Sequence, residues 1–385
     1  MKILYSHRTR SADGQYVHIR ELTEALRARG HNVVMAGPGG AEEGVHRALD
    51  AKSSGSLMSM LPGALYEFAE LAYSAPAYWR LRRLFQEIKP DIFYQRYNLF
   101  YYPGAWLRRA NRVPFILEVN APLVEERTRH GGLALKRLAE NSERKIWRTA
   151  DMVLPVTNVL ADCIRAAGVP DERIKVIQNG VSAAFLESPN PELIRKQYGL
   201  QEKIVLGFTG FVREWHGVDR AIRFLAAQNR SDLHLLVVGD GPARSNLESL
   251  AANLGVADQL TITGVIQRDE LPAYVAAFNI ALQPAAVDYA SPLKLFEYMA
   301  LGKAIVAPAS ANIRETLKDG EDALLFSQED DNAFDKALAA LVNDRELRVR
   351  LGGAVRASLL RQDLTWAGNA RRIETIAQRL ISKTA

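Results

Sequence analysis

The sequence predicts an α/β protein built from two doubly wound parallel sheets that face each other across a cleft. Three observations lead to this fold. The chain has 385 residues, more than one typical domain holds. The segments 2–37 and 203–241 each contain a short apolar strand, a glycine-containing turn, an amphipathic helix and a second strand. The alternation continues after each segment, as it does in parallel sheets covered by helices on both faces.

Apolar runs bounded by turn residues predict the strands of the first half. They lie at 2–7, 31–37, 91–96, 114–120, 151–157 and 173–180. The first helix is predicted over about 16–29, because Val17, Leu22 and Leu26 recur at helical spacing and Gly30 follows them.

The same pattern predicts the strands of the second half. They lie at 203–210, 234–241, 259–264, 279–284, 303–308 and 323–326. A helix over 218–227 follows the first of them, and a final helix over about 364–381 carries Trp366, Ile373 and Leu380 on one stripe.

Four regions follow from this alternation. We expect an N-terminal domain over 1–183, a linker over 184–202 that contains two prolines, and a C-terminal domain over 203–363. Residues 364–385 are predicted to form a helix that crosses back to the N-terminal domain.

The composition excludes several protein classes. Hydrophobic residues make up 48% and charged residues 24%, which is a globular mixture. The one cysteine, Cys163, cannot form an internal disulfide or a thiolate metal cage and suits a reducing compartment. No run approaches the ~18 apolar residues of a membrane span, and the N-terminus does not resemble a signal peptide. We therefore expect a cytoplasmic protein.

Positive charge is concentrated in the first half of the chain. Residues 1–183 have a net charge of +7, whereas the remainder has a net charge of −2. A basic surface favours phosphate groups or acidic lipid headgroups, and solvated helix faces rich in arginine would give the same pattern. We do not expect nucleic acid as a partner.

The segment 56–85 has two interpretations. Six apolar or aromatic residues stand among few charges, and three arginines follow them: Leu61, Leu65, Phe68, Leu71, Tyr78 and Trp79, then Arg80, Arg82 and Arg83. This order suits a helix at an anionic membrane surface, with rings at headgroup depth and cations on the lipid phosphates. Alternatively the apolar face is core, and the prolines of the segment divide it into shorter packing helices.

Four stretches of this sequence, in order, resemble glycosyltransferase family 4, the large retaining class with the GT-B fold. They are 14–33 (GQYVHIRELTEALRARGHNV), 179–181 (NGV), 237–284 (VVGDGPARSNLESL through FNIALQP) and 291–308 (SPLKLFEYMALGKAIVAP). The resemblance implies transfer of a sugar from a nucleotide-diphosphate sugar with retention and without a metal. It implies donor binding on the C-terminal domain and acceptor binding mainly on the N-terminal one. It also implies a front-face mechanism in which the leaving phosphate accepts the proton, so no cofactor and no catalytic base are expected.

The donor diphosphate is expected at the start of a helix after residue 290. Ser291 is the predicted N-cap, and Pro292 and Leu293 would lie in the first turn. Backbone amides there, together with Lys294, would neutralise the leaving diphosphate. Glu297 lies one turn later, matches the second Glu of the family's Glu-x7-Glu motif and would accept the ribose hydroxyls.

The chain departs from the family where the first Glu of that motif is expected. Tyr289 stands at this position, with Asp288 beside it, so the chain is similar to a subgroup that lacks the first Glu. Asp288 or backbone amides would then contact the donor sugar. The resemblance places the nucleobase at the turn that contains Val265.

A second departure follows the strand 203–210. After Gly210 the family usually has Arg and, before the helix, Lys, whereas this chain has Phe211 and His216. Arg213 is the expected replacement for the Arg, because side chains two apart in an extended segment point the same way. His216 would be charged beside a diphosphate, or it packs against its neighbour Trp215.

Polar residues in the N-terminal domain predict the acceptor site. Glu118 and Asn120 end a predicted strand and leave the same face of it, at the edge where parallel sheets bind ligands. Gly14 would allow a close backbone approach to the donor. His18 either faces the cleft or is structural. The candidate catalytic residues are Glu118, Asn120 and Arg213.

The favoured function is therefore a retaining hexosyltransferase with a glycan, a lipid-linked or a small-molecule acceptor. Two alternatives use the same fold. The missing first Glu and Phe211 would also suit an inert protein that binds nucleotide sugars or acts as a scaffold. A nucleotide-sugar 2-epimerase would need several carboxylates and histidines around the sugar, whereas this chain offers only Glu118, His18 and His216.

Overall fold

The computed structural model describes residues 1–9, 14–37, 63–187 and 189–384, and the chain divides into two compact units. Unit 1 comprises Met1–Gln178, Tyr289–Ser291 and Trp366–Ala385. Unit 2 comprises Asn179–Asp288 and Pro292–Thr365.

The elements alternate between strands and helices through both units. Unit 1 contains β1 (Lys2–Ser6), α1 (Gly14–Ala28), β2 (Asn32–Ala36), α2 (Gly63–Ala72), α3 (Ser74–Ile88), β3 (Ile92–Arg96), α4 (Pro103–Ala110), β4 (Phe115–Val119), α5 (Leu123–His130), α6 (Lys136–Thr149), β5 (Met152–Pro155) and α7 (Asn158–Ala166). Unit 2 contains α8 (Glu192–Gln197), β6 (Ile204–Thr209), α9 (Val218–Gln228), β7 (Leu233–Val238), α10 (Arg244–Asn253), β8 (Leu260–Ile262), α11 (Leu271–Ala276), β9 (Ile280–Leu282), α12 (Leu293–Ala300), β10 (Ala304–Pro308), α13 (Ala311–Arg314), β11 (Leu324–Phe326), α14 (Ala333–Asn343) and α15 (Arg345–Gln362). The last helix, α16 (Trp366–Thr384), belongs to unit 1.

Each unit is built on one parallel sheet, as predicted. The strand order is β2-β1-β3-β4-β5 in unit 1 and β11-β10-β9-β6-β7-β8 in unit 2. The central strands are buried along their whole length, because helices cover both faces of the sheet. The prediction of two doubly wound, Rossmann-like sheets is confirmed.

The predicted strand over 173–180 is wrong. Only Ile174 forms a bridge, with Val153 of β5, and the backbone N–H of Ile177 donates to the carbonyl of Pro155. Proline has no N–H with which to continue the ladder, so the pairing stops there.

The segment 184–202, predicted as a linker, is part of unit 2. Phe185, Ile194 and Leu200 are buried in its hydrophobic core. The guanidinium group of Arg195 donates to the carbonyls of Ala277, Leu200 and Lys203, which ties the segment to the sheet.

Helix α16 packs against α1 within unit 1. The ring of Trp366 contacts His18 edge-on, with ring centroids 4.8 Å apart. The Nε of Arg29 donates to Glu374 at 2.6 Å. The amide of Asn369 donates to the carbonyl of Gln178.

The described residues of the segment 56–85 lie in helices α2 and α3. The core interpretation holds for α3, whose Ala77, Leu81 and Phe85 are buried in the hydrophobic core of unit 1, but other apolar side chains are exposed. Leu65 is 54%, Phe68 52% and Trp79 62% exposed. Leu61 lies outside the described residues. The side chains that α2 buries are acidic. Glu67 accepts the backbone N–H groups of residues 134 and 135 at 2.7 and 2.8 Å, just before α6, and Glu70 pairs with Arg127. The carboxylates thus orient the helix and leave Leu65 and Phe68 exposed, while Leu71 packs against the cluster that contains Leu99 and Phe100.

Replacing Glu67 should destabilise the protein more than replacing the apolar Leu65 of the same helix. Glu67→Ala leaves two backbone N–H groups near the start of α6 without an acceptor, which costs about 1–3 kcal/mol. Leu65→Ala removes an exposed side chain and should change stability by about 0.5 kcal/mol or less. Thermal melts of the two variants test this. The reverse order would mean that α2 packs through its apolar residues.

Candidate functional site

Glu118 is the centre of a buried hydrogen-bond network at the carboxyl end of β4. Its side chain accepts from the Nη1 of Arg96 at 2.5 Å and from the hydroxyl of Tyr94 at 2.8 Å. It also accepts from the Nδ2 of Asn120 at 2.7 Å, and the Nε2 of His18 lies 3.0 Å away. Glu118 is only 2% exposed, so its acceptor positions are filled from within unit 1.

This network keeps Glu118 ionised. Burial by itself would raise its pKa, but His18 and Arg96 override burial and hold the pKa well below the ordinary value. A saturated, buried carboxylate cannot contact an acceptor without losing these bonds. The catalytic and acceptor-binding role of Glu118 stays a prediction, and the structure shows that the same carboxylate holds Arg96, Tyr94 and Asn120 together.

His18 and Asn120 differ in their exposure. His18 is buried between Glu118 and Trp366, so it does not reach solvent as an acceptor-binding residue would. Asn120 is partly exposed, and its Nδ2 donates to Glu118, which orients the amide. Gly14 is exposed and begins α1. Of the predicted acceptor-binding residues, Asn120 keeps a geometry suited to that role.

Tyr289, one of the predicted donor residues, is grouped with unit 1. Its hydroxyl donates to Glu126 at 2.9 Å, and its carbonyl accepts from the hydroxyl of Thr157 at 2.9 Å. Burial and the Glu126 carboxylate raise the pKa of Tyr289, so it stays a donor. Asp288, its neighbour, is exposed and belongs to unit 2. Glu126 was not among the predicted site residues, since a surface ion pair explained it equally well.

In unit 2 the side chain of Lys294 lies against the glycine that follows β6. Gly210 has a φ of +127°, and a Cβ there would lie 3.3 Å from the Nζ of Lys294. The Nζ lies 3.7 Å from the centroid of Phe208. It is buried and has no hydrogen-bond partner among the described residues. Burial lowers the pKa of Lys294 to about 7, and the nearby carboxylate of Glu297 opposes only part of this shift.

Glu297 follows Lys294 by one turn and pairs with an arginine that the sequence analysis missed. The Nη1 of Arg268 donates to the Oε1 of Glu297 at 2.5 Å, and Glu297 is buried. Arg268 lies inside the stretch 237–284 that carries the family resemblance, but no fixed spacing relates it to Glu297. The pairing depends on the fold of unit 2.

Helix α12 begins one residue later than predicted. Leu293 is its first residue, Pro292 is the N-cap in an extended conformation, and Ser291 precedes the cap. Ser291 is therefore not the N-cap, and it is grouped with unit 1. The hydroxyl of Tyr298 accepts the backbone N–H of Thr209 at 2.9 Å, which holds α12 against the end of β6.

After Gly210 the side chain of Arg213 is exposed, and the ring of His216 packs against aromatic rings. The guanidinium carbon of Arg213 lies 5.2 Å from the centroid of Phe211, so the two side chains share a side as predicted. The ring of His216 packs 4.0 Å from Trp215. Burial and the charges of Lys294 and Arg213 lower the pKa of His216 to about 3. His216 is therefore neutral at physiological pH in this state, not charged.

Val265 is 85% exposed at the turn after β8. In the described part of the chain, no group of three or more His, Cys, Asp or Glu side chains could hold a metal ion. None of the described helices is long and apolar enough to cross a membrane.

We expect Glu118→Gln to destabilise the protein strongly. The amide has nearly the same shape, but it removes the charge that compensates Arg96, and breaking a buried ion pair costs about 3–5 kcal/mol. The matched control is Glu125→Gln, whose exposed pair with Arg129 is worth about 0–1 kcal/mol. Equal melting temperatures of the two variants would contradict the assignment of Glu118 as a structural centre.

Lys294→Met should stabilise the protein in a pH-dependent way. The pKa of Lys294 is about 7 in the fold and 10.5 ordinarily, so between these values the unfolded chain binds a proton that the native state lacks. Wild-type stability therefore rises with pH over this range. The methionine variant should exceed wild type most below pH 7, and its advantage should shrink as pH rises. Melting temperatures of both proteins across neutral and alkaline pH measure this difference, and a constant difference would contradict it.

Two proteins with sequences similar to this chain are named as sugar transferases. Alpha-D-kanosaminyltransferase of Streptomyces kanamyceticus is 27% identical over 221 residues, 56% of this chain and 57% of that protein. The GDP-mannose-dependent alpha-(1-6)-phosphatidylinositol monomannoside mannosyltransferase of Mycolicibacterium smegmatis is 28% identical over 236 residues, 58% of this chain and 62% of that protein. The aligned region thus spans less than two thirds of the length of either relative.

Similarity in structure extends further than similarity in sequence. Anabaena Alr3699/HepE, crystallised in complex with UDP, matches with a TM-score of 0.77 over 98% of this chain and 100% of that one, at 18% identity. This likeness shows the fold. Two family models also match: one described as a glycosyl transferase 4-like domain and one as glycosyl transferases group 1. The first model matches residues 13–180 of this chain, and the second matches residues 190–358.

Proposed function

We propose that the protein is a retaining glycosyltransferase that takes a sugar from a nucleotide-diphosphate donor bound by unit 2. The observation that carries this proposal is the buried Nζ of Lys294 beside Gly210, which has no hydrogen-bond partner among the residues that the structure describes. It lies at the carboxyl end of β6, the edge of a parallel sheet where ligands bind. A buried amine with no partner is costly unless an anion satisfies it. The likeness to a protein crystallised with UDP supports the same assignment.

The departing diphosphate would be stabilised by Lys294, by the exposed Arg213 and by the backbone amides at the start of α12. Glu297, oriented by Arg268, would accept the ribose hydroxyls. These cations and amides supply the charge that a metal would otherwise supply, so we propose a metal-independent, front-face transfer. Asn120 of unit 1 would contact the acceptor, which is a glycan, a lipid-linked sugar or a small molecule.

Nucleotide binding should be accompanied by proton uptake. Near pH 8 most of the Lys294 amine is neutral, because its pKa is about 7, and a bound diphosphate would raise this pKa and protonate it. Calorimetric titrations with UDP, GDP, dTDP and ADP in two buffers of different ionisation enthalpy measure the protons bound. Lys294→Met should bind the preferred nucleotide roughly ten- to hundredfold more weakly, without uptake. Lys318→Met, an exposed lysine of unit 2, is the control. Uptake that persists in Lys294→Met would place the diphosphate elsewhere.

Product analysis separates the proposed transferase from the two alternatives. An inert nucleotide-sugar-binding protein would bind the nucleotide but release no sugar from it. A 2-epimerase would return a nucleotide sugar with inverted configuration at C2. Transfer or slow hydrolysis that gives free nucleoside diphosphate with retained anomeric configuration is the result expected of the retaining enzyme.

We further propose that α2 and α3 place unit 1 on an anionic membrane surface. Leu65, Phe68 and Trp79 are more than half exposed, and the Arg82 guanidinium carbon lies 5.3 Å from the centroid of the Trp79 ring. Arg80 and Arg83 are exposed on the same helix. Rings and aliphatic side chains beside cations suit the interface between headgroups and acyl chains.

Vesicle sedimentation tests the membrane proposal. Binding to vesicles of phosphatidylcholine and phosphatidylglycerol should fall with added salt and should drop severalfold in Trp79→Ser. Leu193→Gln is the control, since Leu193 is 76% exposed on unit 2. If wild type does not bind these vesicles at low salt, or if the two variants bind equally, the surface has another role and the acceptor is soluble.

A further inference from the structure

We propose that unit 1 contains a binding site for a phosphate group of the acceptor, formed by Arg8 and Arg80 around the rings of Tyr73 and Tyr101. The assignment of the phosphate to an acceptor rests on the proposed function. The site itself rests only on contacts within unit 1.

Arg8 is a cation with a buried N–H donor that no described residue of the chain satisfies. It follows β1 directly, and its guanidinium carbon lies 4.9 Å from the ring centroid of Tyr73 and 5.5 Å from that of Tyr101. Its Nη1 is buried and has no hydrogen-bond partner within the described ranges. Contact with ring faces attracts the charge but leaves the N–H donors unsatisfied. A buried N–H donor without a partner favours a ligand that supplies a hydrogen-bond-accepting atom.

The two rings that flank Arg8 are held in place by other bonds. Ser74, next to Tyr73, donates to the carbonyl of Phe100 at 2.6 Å and accepts the N–H of Tyr102 at 3.1 Å. The hydroxyl of Tyr101 lies 3.4 Å from the Oγ of Ser6. The guanidinium group is thus held in one orientation before any ligand binds, which lowers the entropic cost of binding.

A second arginine, Arg80, contacts the hydroxyl of Tyr73. The Nη2 of Arg80 lies 3.5 Å from the hydroxyl of Tyr73 and donates to it. Both guanidinium groups are close enough to Tyr101 to lower its pKa, although burial raises it overall. No salt bridge joins either arginine to a carboxylate in the part of the chain that the structure describes.

Two guanidinium groups without a carboxylate repel each other, and an anion placed between them removes the repulsion. Phosphate matches this arrangement best, because a guanidinium group donates to two phosphate oxygens at once. The position after β1 is also the carboxyl edge of the unit 1 sheet, where Asn120 lies. The acceptor that these residues would recognise is therefore a phosphate ester, either of a soluble sugar or polyol or of a lipid headgroup.

Calorimetric titration with inorganic phosphate and with glucose 6-phosphate tests the site without requiring activity. Arg8→Gln should weaken binding roughly ten- to hundredfold, as the loss of a charge-assisted bond predicts. The phosphate affinity of Arg8→Lys should lie between those of wild type and Arg8→Gln, because lysine keeps the charge but lacks the planar guanidinium group. Arg80→Gln changes an exposed residue, so it keeps the fold and should also weaken binding. Arg109→Gln, an exposed arginine of the same unit, should match wild type.

The outcomes separate this proposal from the proposed function. Loss of phosphate binding in Arg8→Gln, with nucleotide binding unchanged, supports the site even if no sugar transfer is found. Phosphate binding that is lost in Lys294→Met but retained in Arg8→Gln and Arg80→Gln belongs to unit 2 and overturns the proposal. Equal phosphate binding by all of these variants would also overturn the proposal.

Vesicles distinguish the source of the phosphate. A lipid headgroup predicts that Arg8→Gln weakens binding to vesicles of phosphatidylcholine with phosphatidic acid more than binding of glucose 6-phosphate. A soluble ester predicts the reverse order. No effect of Arg8→Gln on either ligand would overturn the site.

Discussion

The buried carboxylate of Glu118 joins most of the elements that build the ligand-binding edge of unit 1. Its partners come from β3, from α1 and from the loop after β4, and Tyr5 of β1 lies 3.5 Å away. His18 in turn contacts Trp366, so the last helix of the chain packs against the same network. Removing the charge would leave Arg96 buried without a counterion. The orientation of Asn120 therefore depends on the buried pair of Glu118 and Arg96, which forms within unit 1.

The two units show two different uses of buried charge. The carboxylate of Glu118 has partners from Arg96, Tyr94, Asn120 and His18, so its own oxygens are satisfied without a ligand. The Nζ of Lys294 and the Nη1 of Arg8 are buried without hydrogen-bond partners among the described residues. A group left in this state reduces stability, and it is retained where an anion supplies the missing bonds. This contrast separates the residues that hold the fold from those that we assign to ligands.

Buried charge also determines the orientation of helix α2 on the surface of unit 1. Its two buried side chains, Glu67 and Glu70, bond to backbone N–H groups before α6 and to Arg127, and these bonds decide which face turns inward. The apolar residues Leu65 and Phe68 then remain in solvent. Exposed apolar side chains next to cations are typical of surfaces that bind a partner or a membrane. The composition of a helix does not by itself decide which face is buried.

The sequence alone determined the two parallel sheets, because apolar strand runs and amphipathic helices alternate with lengths that only a doubly wound fold accommodates. It also identified Lys294 and Glu297 as neighbours, since they stand one helical turn apart. It did not identify Arg96, Arg268 or Glu126 as partners of Glu118, Glu297 and Tyr289, because these contacts join residues from 22 to 163 positions apart. Polarity at the carboxyl end of β4 pointed to a ligand site, and nothing in the sequence indicated the internal ion pair of Glu118 with Arg96. Only the tertiary structure revealed this pair, because the burial and partners of Glu118 depend on which elements pack around it.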